Sequence, residues 1–430
     1  MTDRTRDASP PGRGMRICDV VVAGSGLAGM MTAILLARKG RKVTLLTRGS
    51  PCLAISGGCV DVLGYMDGKR VHGDPLEALQ TLPASHTYRT LGKDAVVRSL
   101  ALLSELCEGE GVSLAADPGL NMWMPTVLGT FKPTYLAFPR MDKDVMEAAN
   151  SVIIPRLPLK DCPAELALRG FSEVAGVKGK VFLGSQLDHP FGHGHRDLTQ
   201  LDLARHLETQ KGQDWLVKGL APCLRRGAVL LLPPILGIDR HAQVRKLLEG
   251  ELSSPIAEML SPPPGVGGLR ILGALRRAAS KAGVRIVENA EAVAADVEGG
   301  ACAALHCGTS VRTSFAAREY VIATGGFLGG GIRAYPGMAR EALFDLPLKV
   351  PSRIEDWSTR DVFKPQPYAA VGVAIDGSMR PVDRDGKVVL SNVRFAGRIL
   401  AGHDPAAEMC GNGVALASAL RCAEEVGADV

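Results

Sequence analysis

No two of the ten cysteines stand in a C-x-x-C spacing, which excludes the clustered thiolates of iron–sulfur and structural zinc sites. They read as small buried hydrophobes of a reducing compartment. A cluster exchanging electrons with this chain would sit on another polypeptide. Aromatic residues make up only 4%, too few for the stacking platforms of single-stranded nucleic-acid binding. The net charge is +5 with the basic residues dispersed, so no nucleic-acid footprint forms. No apolar run approaches the roughly 20 residues of a membrane span. The best, 228–238, is broken by Pro233 and Pro234. Residues 1–14 carry charges and prolines without the apolar core of a signal peptide, and read as a disordered tail of a cytoplasmic protein.

Acid is missing at one informative place: nothing between Gly29 and Asp61 is acidic. Glycine, by contrast, is abundant at 50 of 430 residues, which suits close backbone approach. Residues 17–23, ICDVVVA, read as a buried parallel strand. Gly24-Ser25-Gly26-Leu27-Ala28-Gly29 follows, then an apolar helix ending near Gly40, then a second strand at 42–47. This is a βαβ unit with a G-x-G-x-x-G turn. Gly24 permits the turn, Gly26 the approach of a phosphate, and Gly29 the packing of helix on strand. The helix N-terminus then holds the phosphate.

A dinucleotide site places Asp or Glu about 20 residues on, against the adenosine ribose. Here the strand ends Leu45-Leu46-Thr47-Arg48-Gly49. Either Thr47 and Arg48 serve the ribose, or the cofactor is a mononucleotide without an adenosine half.

Three further stretches point to flavin. Ser56-Gly57-Gly58 offers small residues against a flat ring. The strand 319–323 runs into Thr324-Gly325-Gly326. Near the end, Gly402 and Asp404 precede a second glycine-started helix through Gly411, Gly413 and Val414. Its positive end would stabilise a reduced flavin. The expected architecture is α/β: a Rossmann-like FAD/NAD(P)-binding domain with an inserted α+β cap or substrate domain. The flavin-binding parts are 15–85, 266–335 and 391–430. The insert spans 86–265, with little strand–helix alternation, and a substrate-side β segment spans 336–390. Residues 284–297, VRIVENAEAVAADV, read as one strand.

Asp188, His189, His193, His195 and Asp197 cluster in DHPFGHGHRD, but Pro and two Gly leave the imidazoles no common face. An exposed polar loop is the reading, and no metal site is expected.

The chain resembles the family of B subunits of the anaerobic glycerol-3-phosphate dehydrogenase. The residues that carry this are VVVAGSGLAGMMTAILLARKG, VTLLTRG, AISGGCVDVLG, LGTFKPTYL at 128–136 and GRILAGHDPAAEMCGNGVALASAL. The most specific are TRG and GTFKPT; residues 150–260 match only loosely. The resemblance implies an FMN-dependent flavoprotein subunit, with FAD as the alternative. It pairs with an FAD-containing catalytic subunit and a membrane-associated iron–sulfur subunit that feeds the quinone pool. The assembly oxidises sn-glycerol 3-phosphate to dihydroxyacetone phosphate, and this chain meets the inner face of the membrane only through partners.

Oxidising an alcohol on flavin needs a base, and a substrate phosphate needs cations. Lys132 and Arg140 are the phosphate candidates, Thr134 and Tyr135 hydrogen-bonding neighbours, and His403, placed beside the ring, the base. A soluble flavin dehydrogenase for another hydroxy acid or amine stays open, as does an electron-transfer or assembly module without a substrate site.

Overall fold

The computed structural model describes residues 16–192, 197–308 and 313–427. The tail at 1–14 and His193 and His195 of the polar loop lie outside the described residues.

Strand β1 (Arg16–Ala23) leads into helix α1 (Leu27–Arg38), which returns to β2 (Val43–Leu46), paired parallel to β1 with Val20 opposite Val43. Residues Leu27 to Leu36 of α1 are all buried. A helix apolar on every face must be covered on every face. The sheet covers one side, and α4 (Gly411–Glu425), rich in alanine, packs on another. The amphipathic helix α2 (Lys93–Glu108) and α3 (Val266–Lys281) complete this core.

The sheet continues through β3 (Arg285–Val287), parallel to β2, and a hairpin of β4 (Ala292–Glu298) and β5 (Ala301–Cys307). Next come the long β6 (Thr313–Ile322), parallel to β1, and β7 (Val393–Phe395). The spatial order is β3-β2-β1-β6-β5-β4. β6 serves two partners on one edge: Thr313 to Phe315 pair antiparallel with β5, and Tyr320 to Ile322 parallel with β7. All of β1, β2, β6 and β7 therefore end at the same edge, where a parallel sheet places its ligand.

The single strand expected at 284–297 is two, β3 and β4. The chain breaks at Asn289, which has φ +54°, and the Ala290 N–H then donates to the Thr47 carbonyl at 2.8 Å. The segment 371–395 holds isolated bridges and turns before β7.

The insert also differs from its reading. Strands Ile256–Glu258, Ala228–Leu232, Ser151–Arg156 and Val181–Gln186 form, in that order, an all-parallel sheet with helices in the connections. Strand–helix alternation is therefore regular from Ser151 to Glu258, whereas Met122–Pro125 and Phe131–Thr134 form an antiparallel pair before it. Three strands of the parallel sheet are buried along nearly their whole length and carry no period-two pattern to read, while the edge strand Val181–Gln186 is half-buried. The apolar run broken by Pro233 and Pro234 is the central strand Ala228–Leu232. This layer has its own apolar cluster, reaching from Val127 to Met259. Among the described residues no helix is long and apolar enough to cross a membrane.

Candidate functional site

A cleft of about 880 Å³ opens at the carboxyl ends of β1, β2 and β6. Gly24 adopts φ +107°, and a Cβ there would meet the backbone of Ala323. Gly29 packs on the Gly24 carbonyl and does not line the cleft. Gly26 caps α1 in extended conformation, and a Cβ on it would meet nothing within 4 Å. That space lies at the mouth of a helix N-terminus, where a phosphate sits. Ser25, Leu27 and Ala28 line the same wall.

At the other end of this wall Ser25 Oγ donates to Thr47 Oγ1 at 2.7 Å, and Thr47 Oγ1 to the Gly49 carbonyl at 2.8 Å. Arg48 pairs with Glu291 across the rim at 3.3 Å. Thr47, Arg48, Gly49 and Glu291 all line the cleft. A carboxylate does reach this rim, then, from the segment before β4 rather than from the end of β2.

Thr324, Gly325 and Gly326 form the opposite wall, with Gly325 at φ +79°. The Thr324 Oγ1 is buried and has no partner among the described residues. The same holds for Nη1 of Arg398, whose Nη2 donates to the Ala369 carbonyl. Burial pushes the Arg398 pKa down, while Asp404 and Cys410 oppose the shift. A half-buried guanidinium with such a buried N–H group, on a cleft wall, fits an acceptor or anionic ligand. Asp404 and the first residues of α4, Gly411 and Asn412, close the far end. The Asp404 Oδ1 accepts the N–H groups of Ala406 and Ala407 at 3.0 Å each, which fixes the turn.

Several sequence candidates stand elsewhere. Ser56 lines the cleft, but Gly57 and Gly58 pack on Leu260 and on Gly267 at the start of α3. Gly413 abuts Tyr88 and donates its N–H to the Asp61 carbonyl at 2.9 Å, while Val414 is core. Gly402 and His403 line a second, adjoining cavity of about 560 Å³ that shares Asp404 with the first. His403 is thus not on the cleft wall. Burial, with Arg398 and His86 adding to it, pushes its pKa down to about 3.

Lys132, Thr134, Tyr135 and Arg140 line neither cavity. Lys132 is bound to Asp61 and Arg140 to Glu249. Thr134 is core, and burial raises the Tyr135 phenol. His189 stacks edge-on against Phe191 in its loop.

Sequence reasoning missed Arg398, Glu291 and the pair His86–Glu408, joined at 3.1 Å. Arg398 lies inside the glycine-bounded stretch GRILAG, the one local signal available. The other two face the cavities only through long-range packing.

Residues 19–414 match the FAD binding domain family. The B subunit of the anaerobic glycerol-3-phosphate dehydrogenase of Pectobacterium carotovorum is 29% identical over 425 residues, covering 95% of this chain and 98% of that one. The probable B subunit of the same enzyme in Halobacterium salinarum is 31% identical over 424 residues, covering 93% and 95%. Among solved structures, 3-ketosteroid delta1-dehydrogenase from Sterolibacterium denitrificans is 12% identical, with a TM-score of 0.44, 96% of this chain and 100% of that one covered. That likeness is too distant to speak to function.

Proposed function

This chain belongs to the FAD binding domain family and, within it, to the B subunits of anaerobic glycerol-3-phosphate dehydrogenases, and on that premise we propose that its cleft holds FAD and relays electrons in a glycerol-3-phosphate-oxidising complex. A flavin oxidoreductase subunit follows from the family itself. The mononucleotide read from the missing acid is not supported, because the matched family is FAD-binding. The cleft also runs past the glycine loop to Arg48 and Glu291, where an adenosine half would lie.

The observation that carries the reading is one continuous cleft with an open Gly26 at one wall and the unpartnered Thr324 Oγ1 and Arg398 Nη1 at the other. The residues fit the cofactor. Backbone N–H groups at the start of α1 would hold its pyrophosphate, and Glu291 its ribose hydroxyls. Arg398 and the N-terminus of α4 would set positive charge beside the ring. When bound, FAD supplies a two-electron acceptor that also releases electrons singly. Partners are an FAD-containing catalytic subunit and an iron–sulfur subunit that reaches the membrane and its quinones.

Relay without a phosphate site of its own is favoured over direct oxidation of glycerol 3-phosphate. The cations Lys132 and Arg140 are engaged with carboxylates, and His403 is held neutral. The purified chain, assayed with glycerol 3-phosphate and a dye acceptor, should stay inactive until partner subunits are added. Turnover by the chain alone assigns it the oxidation. A released cofactor with the mass of FMN, or a chain that never holds flavin, overturns the FAD reading.

A further inference from the structure

His403, which lines the second cavity, carries a buried acceptor with no partner among the described residues. His403 is 1% exposed. Its Nδ1 lies 3.2 Å from Thr87 Oγ1, and that hydroxyl lies 2.7 Å from the Ala401 carbonyl. A carbonyl has no proton to give, so the Thr87 hydroxyl spends its single proton on Ala401. Thr87 Oγ1 is then an acceptor toward His403, and the imidazole proton resides on Nδ1. The low pKa keeps the ring neutral. Nε2 is accordingly a bare lone pair, and it has no partner among the described residues. A buried acceptor left idle is costly, and a ligand bringing a donor recovers that cost.

His86, on the same cavity, is fixed in the opposite tautomer. Its Nδ1 accepts the Tyr88 N–H at 3.1 Å, so its proton is on Nε2 and goes to Glu408. Glu408 also accepts from the Asp404 N–H and the Cys410 thiol. Burial opposes its ionisation, but these donors outweigh burial and hold its carboxyl below the usual range. It is an anion on the cavity wall. Asp67, Asp404 and Glu408 there face a single ammonium, Lys349. A phosphate dianion meets a net negative wall, whereas an uncharged ligand escapes that repulsion.

We propose that this cavity is a binding site for a small uncharged alcohol or polyol, one hydroxyl of which donates to His403 Nε2. The site goes beyond the FAD reading and does not depend on which flavin is held, since the cavity is a separate space joined to the cleft at Asp404.

The test is calorimetric titration of the flavin-loaded full chain with glycerol, and in parallel with glycerol 3-phosphate and inorganic phosphate. Glycerol should bind saturably and the two anions more weakly. His403→Phe keeps a ring of similar size without the acceptor and should weaken glycerol about three- to tenfold, the worth of one neutral hydrogen bond. His403→Gln, which keeps an acceptor oxygen, should retain most of the binding. Should the Phe variant fold poorly, the imidazole 15N shift of His403 in the parent reads the same bond. Nε2 should move from the free pyridine-type position as glycerol is added. Absent saturation by glycerol, tighter binding of either anion, an unmoved Nε2 signal, or equal affinity in the folded Phe variant each overturns the site. Flavin content, recorded alongside, reports on the cofactor reading separately.

Discussion

Gly29 and Gly24 touch backbone to backbone: a Cβ on Gly29 would stand 2.9 Å from the Gly24 carbonyl carbon and closer still to its oxygen. The first turn of α1 can sit on the turn off β1 only with glycine there. Gly29→Ala should therefore cost ~2 kcal/mol or more of stability through forced separation of helix and strand. Gly26→Ala is the contrast. Its φ of −67° suits alanine and its Cβ would meet open space, so only the poorer N-cap is felt and stability should fall by ~1 kcal/mol or less. Its flavin affinity should nevertheless fall at least tenfold, ~1.4 kcal/mol, because the methyl group enters the phosphate's place. Urea denaturation and flavin-to-protein absorbance ratios separate the two effects. A Gly26→Ala chain that holds flavin as the parent does would remove the glycine loop from the cofactor site.

What is legible in the sequence follows the same division. The β1–α1–β2 unit announces itself because its glycines, apolar run and strand ends are local in sequence. The parallel sheet of the insert does not, since strands such as Ala228–Leu232 are plain apolar runs that periodicity cannot tell from buried helix. Lys132 reads as a free cation because its partner Asp61 lies 71 positions away. His403 reads as a base beside a ring because the second cavity is made by 81–86, 349–351 and 402–408 together, a union no linear pattern carries. The mononucleotide expectation rests on the end of β2 and on the resemblance to the subunit family. Glu291 arrives on the same rim only because Asn289 breaks the edge strand.

Arg398 is a half-buried positive charge on the cleft wall, and its buried Nη1 has no partner among the described residues. Positive charge there favours the more negative, reduced form of the cofactor. Arg398→Met keeps the length and removes the charge. The two-electron midpoint potential should drop by about 30 mV, ~1.4 kcal/mol for such a couple. Spectroelectrochemical titration of the holoprotein measures it. An unchanged potential with normal flavin content would place the guanidinium out of reach of the ring.

Acid should weaken this fold through its buried imidazoles. Folded His403 has a pKa pushed down to about 3 and His241 to about 4, both chiefly by burial. Unfolded, each takes up a proton near the ordinary His value of about 6.5. Below that pH the unfolded chain binds more protons, so these groups' contribution is complete above about 6.5 and is lost as pH falls toward 3–4. In His403→Phe one such group is gone. The stability difference between parent and variant should shift in the variant's favour by ~1.4 kcal/mol per pH unit below 6. Paired denaturant titrations at pH 7, 6 and 5 isolate His403 from every other group, because all others cancel in the difference. A pH-independent difference would mean that the ring is already wet.

The two apolar clusters are tied together by one buried ion pair. Arg270, on α3, holds the Glu258 carboxylate at the end of the insert's edge strand through Nη1 at 2.7 Å and Nη2 at 3.1 Å, and its Nε donates to the Gly237 carbonyl at 2.8 Å. The side chains are 1% and 0% exposed. Such a pair gains little over apolar residues of the same volume, but halving it strands a charge. Arg270→Met should therefore cost ~3–5 kcal/mol, whereas Arg270→Met combined with Glu258→Met should cost less than the sum of the single changes. Urea denaturation of the four chains of this cycle gives the coupling. Strict additivity would show that water already reaches the pair, and that the insert is fixed to the first core by its apolar contacts alone.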